Sequence, residues 1–360
     1  MRILISFISL FLFSCSGMNE SSEKESNSSI STTERLIVYP ESQQNKNGFS
    51  LDDALAKAKI LLSAKKNVEI RLTSGTYYLT KPIILGPEFS GTKEQPFIIR
   101  ADENATVILS AAKLLDVNWQ TNNQLMKAQL SVDKIDQLYI NGQKQISARF
   151  PNFDSSVQVF NGYAADAISP ERVATWKNPK GGFVHALHEG RWGGMHYLIK
   201  GVTNQGELTL EGGFQNNRQS PMHKKYRYVE NIFEELDAPG EWYFDQNLSV
   251  LYFYPPADLD LSNARVEISQ LDNLIELRGN SKNPVKHINI HGLTFTQTNQ
   301  TFMKTKEPLL RSDWAIYRGG AILLEGTENI HISNNEFNNL GGNAIFVSNY
   351  NRNANISGNQ

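Results

Sequence analysis

The stretch that decides the fold is the last third of the chain, where three similar lines occur: INIHGLTF (288–295), IHISNNEF (330–337) and ANISGNQ (354–360). Ile332 and Ile356 are 24 residues apart, and between these lines GAILL (320–324) recurs 23 residues later as NAIFV (343–347). Self-similarity at this period is typical of stacked repeat architectures. The longer step of 42 residues from Ile290 to Ile332 fits either one repeat carrying an insertion or two shorter repeats.

Each repeat contains short β-branched or aromatic runs that alternate and are broken by Gly and Asn, which predicts strands rather than helices. Ile330, Ile332 and Phe337 are expected to point inward and stack on equivalent residues one coil away. The asparagines at the bends suit left-handed backbone and side-chain ladders: Asn334, Asn335, Asn338 and Asn339. We therefore predict an all-β fold, a right-handed parallel β-helix. The alternative is a run of ordinary hairpins, but no Asn-Gly turn separates the paired runs.

Composition narrows the class of protein. The chain has 360 residues with a net charge of −2, so no electrostatic footprint for nucleic acid is present. Hydrophobic residues make up 40% and charged residues 20%, which is typical of globular proteins. The single cysteine excludes an internal disulfide.

The N-terminus resembles a bacterial export signal. Arg2 precedes an apolar run that ends at Leu12-Phe13-Ser14-Cys15, and this run is too short for a stable membrane span. The last four residues resemble a lipobox, so we predict a lipoprotein signal peptide over 1–15 with lipidation of Cys15. Phe13 departs from the small residue usual in a lipobox, and the alternative is a secreted protein whose Cys15 is removed or free. Residues 16–34 are predicted to be a disordered tether.

Residues 35–115 are predicted to form an N-terminal cap and the first β-helix coils. Ser50 can cap a helix whose third residue is Asp53, and this helix is expected to cover the open end of the stack. Residues 116–265 lose the repeat period and are predicted to be an inserted, β-sandwich-like domain. Residues 266–360 return to the coils. Because the sequence stops inside a repeat, we expect further coils beyond Gln360.

Several phrases together resemble extracellular β-helix enzymes that act on polysaccharides: VEIRLTSGTYYLTKPIIL, LYINGQKQISARFPN, APGEWYFDQNLSVLYFYP and RGGAILLEGTENIHISNNEF. Over roughly residues 50–360 the chain is similar to glycoside hydrolase family 141 and its relatives. The resemblance implies a β-helix interrupted by a β-sandwich, and fucosidase and xylanase activities are known in that family. It also implies that the catalytic carboxylates of such enzymes can lie in coils beyond Gln360.

Glycoside hydrolysis needs two carboxyl groups, one to protonate the leaving oxygen and one to attack the sugar or activate water. Asp313, in the aromatic segment RSDWAIYRGG, and Glu325, at the end of a predicted strand, are the catalytic candidates. Glu328 and Glu336 are expected to face solvent. Strands of successive coils are about 4.8 Å apart, so carboxyl groups one coil apart would suit a retaining pair and those two coils apart an inverting pair.

Sugar-binding candidates are aromatic, arginine and amide side chains, because aromatic faces stack on sugar rings and arginine pairs with acidic sugars. Near the coils these are Trp314, Tyr317, Arg318, Asn349, Tyr350 and Arg352, and in the insertion they are Trp192 and His196. The loop SNYNRN (348–353) is equally consistent with a structural ladder of asparagines. His185, His188 and His196 lack the further ligands of a zinc site, so no metal is predicted and the histidines are interpreted as surface residues.

The sequence thus predicts a glycoside hydrolase, or its N-terminal part, that acts on plant or algal polysaccharide without a cofactor. We expect a monomer, exported to the cell envelope and held at the membrane by a lipid on Cys15, with no nucleic-acid partner. One alternative is a polysaccharide lyase on the same scaffold, for which calcium would be the cofactor. The other is a non-catalytic glycan-binding protein.

Overall fold

The computed structural model describes residues 32–43, 47–213, 221–304 and 316–360, and residues from Thr33 onward form one compact unit. The predicted signal peptide with Cys15, most of the predicted tether, and the candidates Asp313 and Trp314 lie outside the described residues. In the part of the chain that is described, no helix has the length and apolar character needed to cross a membrane.

The described residues are predominantly β-structure. The helices are α1 (Leu51–Ser63) and α2 (Pro170–Val173), with 3-10 turns at Glu41–Gln43, Pro87–Phe89 and Phe233–Glu235. The strands, in chain order, are β1 Glu34–Val38, β2 Val68–Leu72, β3 Gly75–Tyr78, β4 Ile83–Leu85, β5 Phe97–Ala101, β6 Val107–Ser110, β7 Ala112–Leu115, β8 Gln120–Asn122, β9 Leu125–Gln129, β10 Leu138–Ile140, β11 Gln143–Lys144, β12 Ile146–Ser147, β13 Arg149–Phe150, β14 Phe183–His188, β15 Gly194–Val202, β16 Leu208–Gly212, β17 Met222–Glu230, β18 Glu241–Asp245, β19 Val250–Phe253, β20 Val266–Ser269, β21 Ile275–Arg278, β22 Val285–His291, β23 Thr294–Thr296, β24 Ile322–Ser333, β25 Glu336–Asn338, β26 Ile345–Arg352 and β27 Asn355–Ser357.

Strands from the first and last parts of the chain pair in parallel along three ladders. The first ladder contains β1, β2, β5, β22, the second half of β24, and β27. The second contains β4, β21, the first half of β24, and β26. The third contains β3, β6, β23 and β25. The chain therefore visits the ladders in turn, and each visit adds one parallel strand to the preceding layer.

The register explains the uneven spacing of the repeats. Ile290 pairs directly with Ile332, and Ile332 with Ile356, so the step of 42 residues is one layer with an insertion. The alternative of two shorter repeats is therefore wrong. Strand β24 passes from the second ladder to the first through a bend at Gly326, which has a φ of +67°. A Cβ atom there would collide with the backbone of Gly279 in the layer below, so glycine is required on both grounds.

One hydrophobic core fills the space between the ladders. Ile288, Ile290, Ile330 and Ile332 have no solvent exposure, and the rings of Phe295 and Phe337 stack with centroids 5.1 Å apart. The predicted inward positions are therefore confirmed. This packing of like residues on like residues, layer upon layer, is what the sequence repeat encodes.

The predicted helix α1 begins where the sequence indicates. The Ser50 side chain accepts a hydrogen bond from the backbone N–H of Asp53 at 3.1 Å and caps the helix. Ala54 and Ala58 are fully buried against β1 and β2. Two of the four predicted bend asparagines, Asn334 and Asn339, have the left-handed backbone expected of them.

The residues between β7 and β20 form mainly antiparallel sheets with their own cores, although β12 pairs with β18 in parallel. The sheet β11-β10-β20-β7 packs on the sheet β12-β18-β19-β9-β8, burying a core whose largest side chains are Trp242, Phe244 and Phe253. A third sheet, β13-β17-β14-β15-β16, covers a separate core around Val184, Ile199 and Trp176. Because Leu115 and Val266 are antiparallel partners, the chain leaves the layered part and returns to it at neighbouring points.

Candidate functional site

The second parallel ladder presents a cluster of charged and amide side chains on its outer face. Arg278 lies on β21 and its register partner Glu325 lies on β24, one strand away. The Arg278 guanidinium donates from Nε to Glu276 Oε2 at 2.9 Å and from Nη1 to Glu325 Oε2. Asn349, at the following layer, donates to the other oxygen of Glu325. We call Glu276, Arg278, Glu325 and Asn349 the Arg278 cluster.

Two of the residues predicted from the sequence, Glu325 and Asn349, thus form a direct hydrogen bond although they are 24 positions apart. The strand period explains why Glu325 is on the outer face. On β24 the side chains of Ile322 and Leu324 enter the core, so Glu325, the next residue, points outward. The left-handed backbone of Asn349 (φ 57°) bends β26 at this point. The cluster is partly accessible, with side-chain exposures of 42% for Arg278 and 27% for Glu325.

A second group adjoins this cluster and includes Tyr317. The Tyr317 hydroxyl donates to Asp272 Oδ2 at 3.4 Å, while Asn299 Nδ2 donates to Asp272 Oδ1 at 2.9 Å and Lys304 forms an ion pair with the same oxygen. We call Asp272, Asn299, Lys304 and Tyr317 the Asp272 cluster. Burial and the nearby Asp272 carboxylate raise the pKa of Tyr317 to about 12, so at neutral pH the tyrosine remains a hydrogen-bond donor. The Glu276 carboxylate of the Arg278 cluster also acts to raise the pKa of Tyr317, so this tyrosine is influenced electrostatically by both clusters.

The carboxyl groups near Lys304 are in opposed electrostatic environments. Burial acts to raise the pKa of Asp272, but the bonds from Lys304 and Asn299 outweigh it, and the pKa is lowered. Burial raises the pKa of Asp136, whose Oδ2 accepts from the backbone N–H of Gln300 at 2.6 Å. Environments that separate the pKa values of two neighbouring carboxyl groups are what acid–base chemistry requires.

Arg318 joins the Arg278 cluster from the side. It donates from Nη1 to the Ser348 hydroxyl at 3.2 Å, and Ser348 is the register partner of Glu325. The backbone carbonyls of Tyr317 and Gly319 both accept from the Asn343 side chain, at 3.3 and 2.9 Å. Asn343 therefore holds in place the end of the segment between β23 and β24, which carries Tyr317 and Arg318.

The candidates Tyr350 and Arg352 belong to a neighbouring group at the end of β26, where this strand pairs with Thr327 and Glu328 of β24. The Tyr350 hydroxyl donates to Glu328 Oε1 at 2.5 Å, and Lys286 Nζ lies 2.8 Å from Glu328 Oε2. These two bonds lower the pKa of Glu328. The guanidinium of Arg352 lies 5.5 Å from the centre of the Tyr350 ring. Glu328 thus lies in a network of side chains rather than freely in solvent.

The two candidates in the inserted domain lie on strand β15 and in the turn between β14 and β15. Trp192 is 62% exposed in the turn between β14 and β15, and its ring stacks on His188 at 4.9 Å. His196 packs inside, with its ring centre 5.0 Å from that of Phe302 and its Nδ1 2.7 Å from Nδ1 of His185. Burial, followed by the adjacent His185, lowers the pKa of His196 to about 4, so this ring is neutral near pH 7.

The interpretation of His185 and His188 as surface residues was wrong. Their exposures are 3% and 6%. His185 stacks on Tyr228 with ring centres 4.6 Å apart, and its Nε2 lies 3.0 Å from Glu230 Oε1. The pairing of β14 with β15 and β17 buries both histidines, and nothing in the local sequence around His185 signals it.

Sequence reasoning also missed Asp272, Glu276, Arg278 and Lys304. The alternation in LIELRGN, with apolar residues inward and Glu276 and Arg278 outward, was an available signal. Within the described ranges, no group of three or more His, Cys, Asp or Glu side chains has an arrangement suited to a metal ion.

Comparisons with known proteins give structural similarity only. No protein-family model matches the chain, and no curated protein matches it. A solved structure described as a glycoside hydrolase superimposes with a TM-score of 0.70 at 21% identity, covering 86% of this chain and 63% of that one. At this identity the likeness shows a shared fold.

Two further solved structures are much less similar. A complex of XylC with xylose has a TM-score of 0.38 at 10% identity, over 84% of this chain and 40% of that chain. A tailspike of Acinetobacter baumannii bacteriophage AP22 in complex with capsular saccharide has a TM-score of 0.15 at 10% identity, over 87% and 48%.

Proposed function

We propose that this protein acts on carbohydrate chains as a glycoside hydrolase, with its substrate along the outer face of the second ladder. The observation that carries the proposal is Glu325, a carboxylate held by Arg278 and Asn349 on the accessible face of a fold shared with a glycoside hydrolase. The Arg278 guanidinium and the Asn349 amide both donate to this carboxylate and hold it in one orientation, which suits a nucleophile or general base.

The surrounding side chains have the chemistry of a sugar-binding face. Tyr317, Arg318 and Asn349 offer an aromatic ring, a guanidinium and an amide within the same group of contacts. Asp313, predicted from the sequence as the second catalytic carboxyl, remains a proposal outside the described residues, and Asp136 is a further carboxyl whose raised pKa suits an acid. No cofactor is required by this mechanism.

The remaining sequence-based expectations accompany this proposal. We propose that the layered strands coil in the right-handed sense, because parallel strand crossovers almost always do. We also propose that the protein is exported and anchored through a lipid on Cys15, so that its site faces polysaccharide outside the cell. These are supported by the sequence pattern from Met1 to Cys15 and by the parallel ladders.

The experiment is release of reducing ends from a panel of plant and algal polysaccharides by the full-length protein and two variants. Glu325→Gln removes the proposed charge, whereas Glu336→Gln makes the same change at an exposed carboxylate on β25. We expect E325Q to lose activity by about 10³-fold and E336Q to retain it.

Two results would overturn the hydrolase proposal, and a third would overturn the role of Glu325. Products that carry the ultraviolet absorption of an unsaturated sugar would identify a lyase, and calcium dependence would then be tested. Binding to a polysaccharide without any change in its chain length would identify a non-catalytic binding protein. Full activity of E325Q would remove Glu325 from the mechanism.

A further inference from the structure

A second polar cleft lies on a different sheet from the proposed catalytic face. It has a volume of about 240 Å³ and is formed where the third ladder meets the sheet β11-β10-β20-β7 of the insertion. Its lining includes Thr76, Thr294 and Thr296 on one side, and Gln143, Arg265 and Glu267 on the other. We call it the Glu267 cleft.

One wall of the cleft is an ordered array of polar side chains. Thr76 and Thr294 lie in one row across the third ladder, and Ser110, Thr296 and Asn338 lie in the next row. The residues between these rows, such as Leu109 and Phe295, point into the core and are fully buried. The strand period therefore places these hydroxyl and amide groups on the side of the ladder opposite the core, at regular spacing, and Thr76, Thr294, Thr296 and Asn338 among them line the cleft.

The opposite wall contributes a buried carboxylate that is only half satisfied. Glu267 is 1% exposed. Its Oε1 accepts from the Tyr78 hydroxyl at 2.7 Å and from Arg265 Nε at 3.1 Å. Its Oε2 is buried and has no hydrogen-bond partner among the described residues. An unpartnered buried carboxylate oxygen costs stability, and a donor on a molecule bound in the cleft would remove this cost.

Charge and size define the class of that molecule. Arg265 already neutralises Glu267, so a cation is not favoured, and an anion would meet the carboxylate directly. The volume is below the roughly 300 Å³ at which pockets for drug-sized ligands begin. A compact neutral molecule with several hydroxyl groups can donate to Glu267 and also exchange hydrogen bonds with the threonine and asparagine side chains.

We propose that the Glu267 cleft binds a single sugar residue, as a subsite separate from the Arg278 cluster. A pair of neighbouring sugar hydroxyls donates to Glu267 Oε2 and accepts from Arg265. Burial, followed by the hydrogen bond to Glu267, raises the pKa of Tyr78, and the tyrosine therefore stays protonated and holds the carboxylate in place. The site binds sugar whether or not the chain cleaves polysaccharide.

The test is saturation-transfer NMR of the full-length protein with D-xylose, D-glucose, D-galactose and L-fucose, followed by titration of any sugar that responds. Thr294→Phe fills the cleft from the third ladder and leaves the Glu267 side chain unchanged. Glu267→Gln replaces the acceptor. We expect either change to weaken binding by about tenfold or more. Glu325→Gln is the control and should leave this binding unchanged, and thermal melts establish that each variant is folded.

The proposal is overturned if no sugar of the panel produces a saturation-transfer signal, or if folded T294F binds as tightly as the original protein. Loss of the signal in E325Q would assign the binding to the catalytic face instead. A response to calcium alone would show that the cleft is a cation site. Because T294F leaves all the charged groups in place, it decides the matter even if E267Q fails to fold.

Discussion

His196 shows how packing alters the chemistry of a single side chain. The sequence suggested a ring that could contact substrate, whereas the ring lies between His185 and Phe302 and its pKa falls to about 4 through burial, with His185 as the second cause. The Glu230 carboxylate, which is bonded to His185, acts to raise the pKa of His196 and only partly offsets this effect. The His196 side chain is therefore neutral in the folded protein near pH 7.

This residue should make folding sensitive to mild acid. The pKa of His196 is 6.5 in the unfolded chain and about 4 in the folded one, so between these values only the unfolded chain binds the proton. Stability is then fully present above pH 6.5 and is lost as the pH falls toward 4, by on the order of 2 kcal/mol between pH 7 and pH 5.

Urea unfolding at pH 7 and pH 5 measures this loss. His196→Phe and His196→Gln both remove the titrating group, so each should reduce the difference between the two pH values by about 2 kcal/mol. An unchanged difference in both variants would contradict the assignment. The pKa of the neighbouring Glu230 is lowered, so that carboxylate responds only below about pH 4.5.

Strand β24 is the element in which sequence and structure can be compared most directly. Its alternation placed Ile330 and Ile332 inward, and its period placed Ile332 one layer below Ile356. Those features are local or periodic, so they can be read from the chain. The contact between Arg278 and Glu325 could not be predicted from the sequence. The residue of β24 that pairs with Arg278 depends on how many residues between β23 and β24 lie outside the ladders.

The same reasoning explains the histidines of β14 and β15. Whether His185 is buried depends on Tyr228 and Phe302, which are contributed by distant parts of the chain. A single sequence carries no information on which strand will cover it. The fold of the repeats was therefore predictable, whereas the composition of the charged clusters and the burial of the histidines were not.

A substitution in β24 tests the inward register. Ile332→Ala should lower the free energy of unfolding by about 3 kcal/mol, because it removes a fully buried side chain that the layers above and below hold in place. His331→Ala, one residue earlier on the exposed face of the same strand, should cost far less. Equal losses in chemical denaturation would mean that the alternation of inward and outward residues is misassigned.

The molecule as a whole is a layered stack built from two separated parts of the chain. Strand β5 pairs with β22, and β6 with β23, across the whole insertion. One hydrophobic core draws residues from both parts, including Val107 and Leu109 before the insertion and Ile290 and Phe295 after it. The insertion has two cores of its own. Stability of the stack should therefore not depend on the insertion.

Excision of residues 116–265 tests this independence. Leu115 and Val266 are antiparallel partners, so an Asn-Gly turn can join them as a two-residue hairpin loop. Val266 and Ile268 would lose their cover from the insertion and are replaced by threonine in this variant. We expect it to remain β-structured and to melt cooperatively. A deletion of equal length over 106–255 removes β6 and β7 and should abolish folding, because it breaks the third ladder. If circular dichroism shows that both deletions are unfolded, the insertion is required for the stack to form, and the two parts of the chain cannot assemble without it.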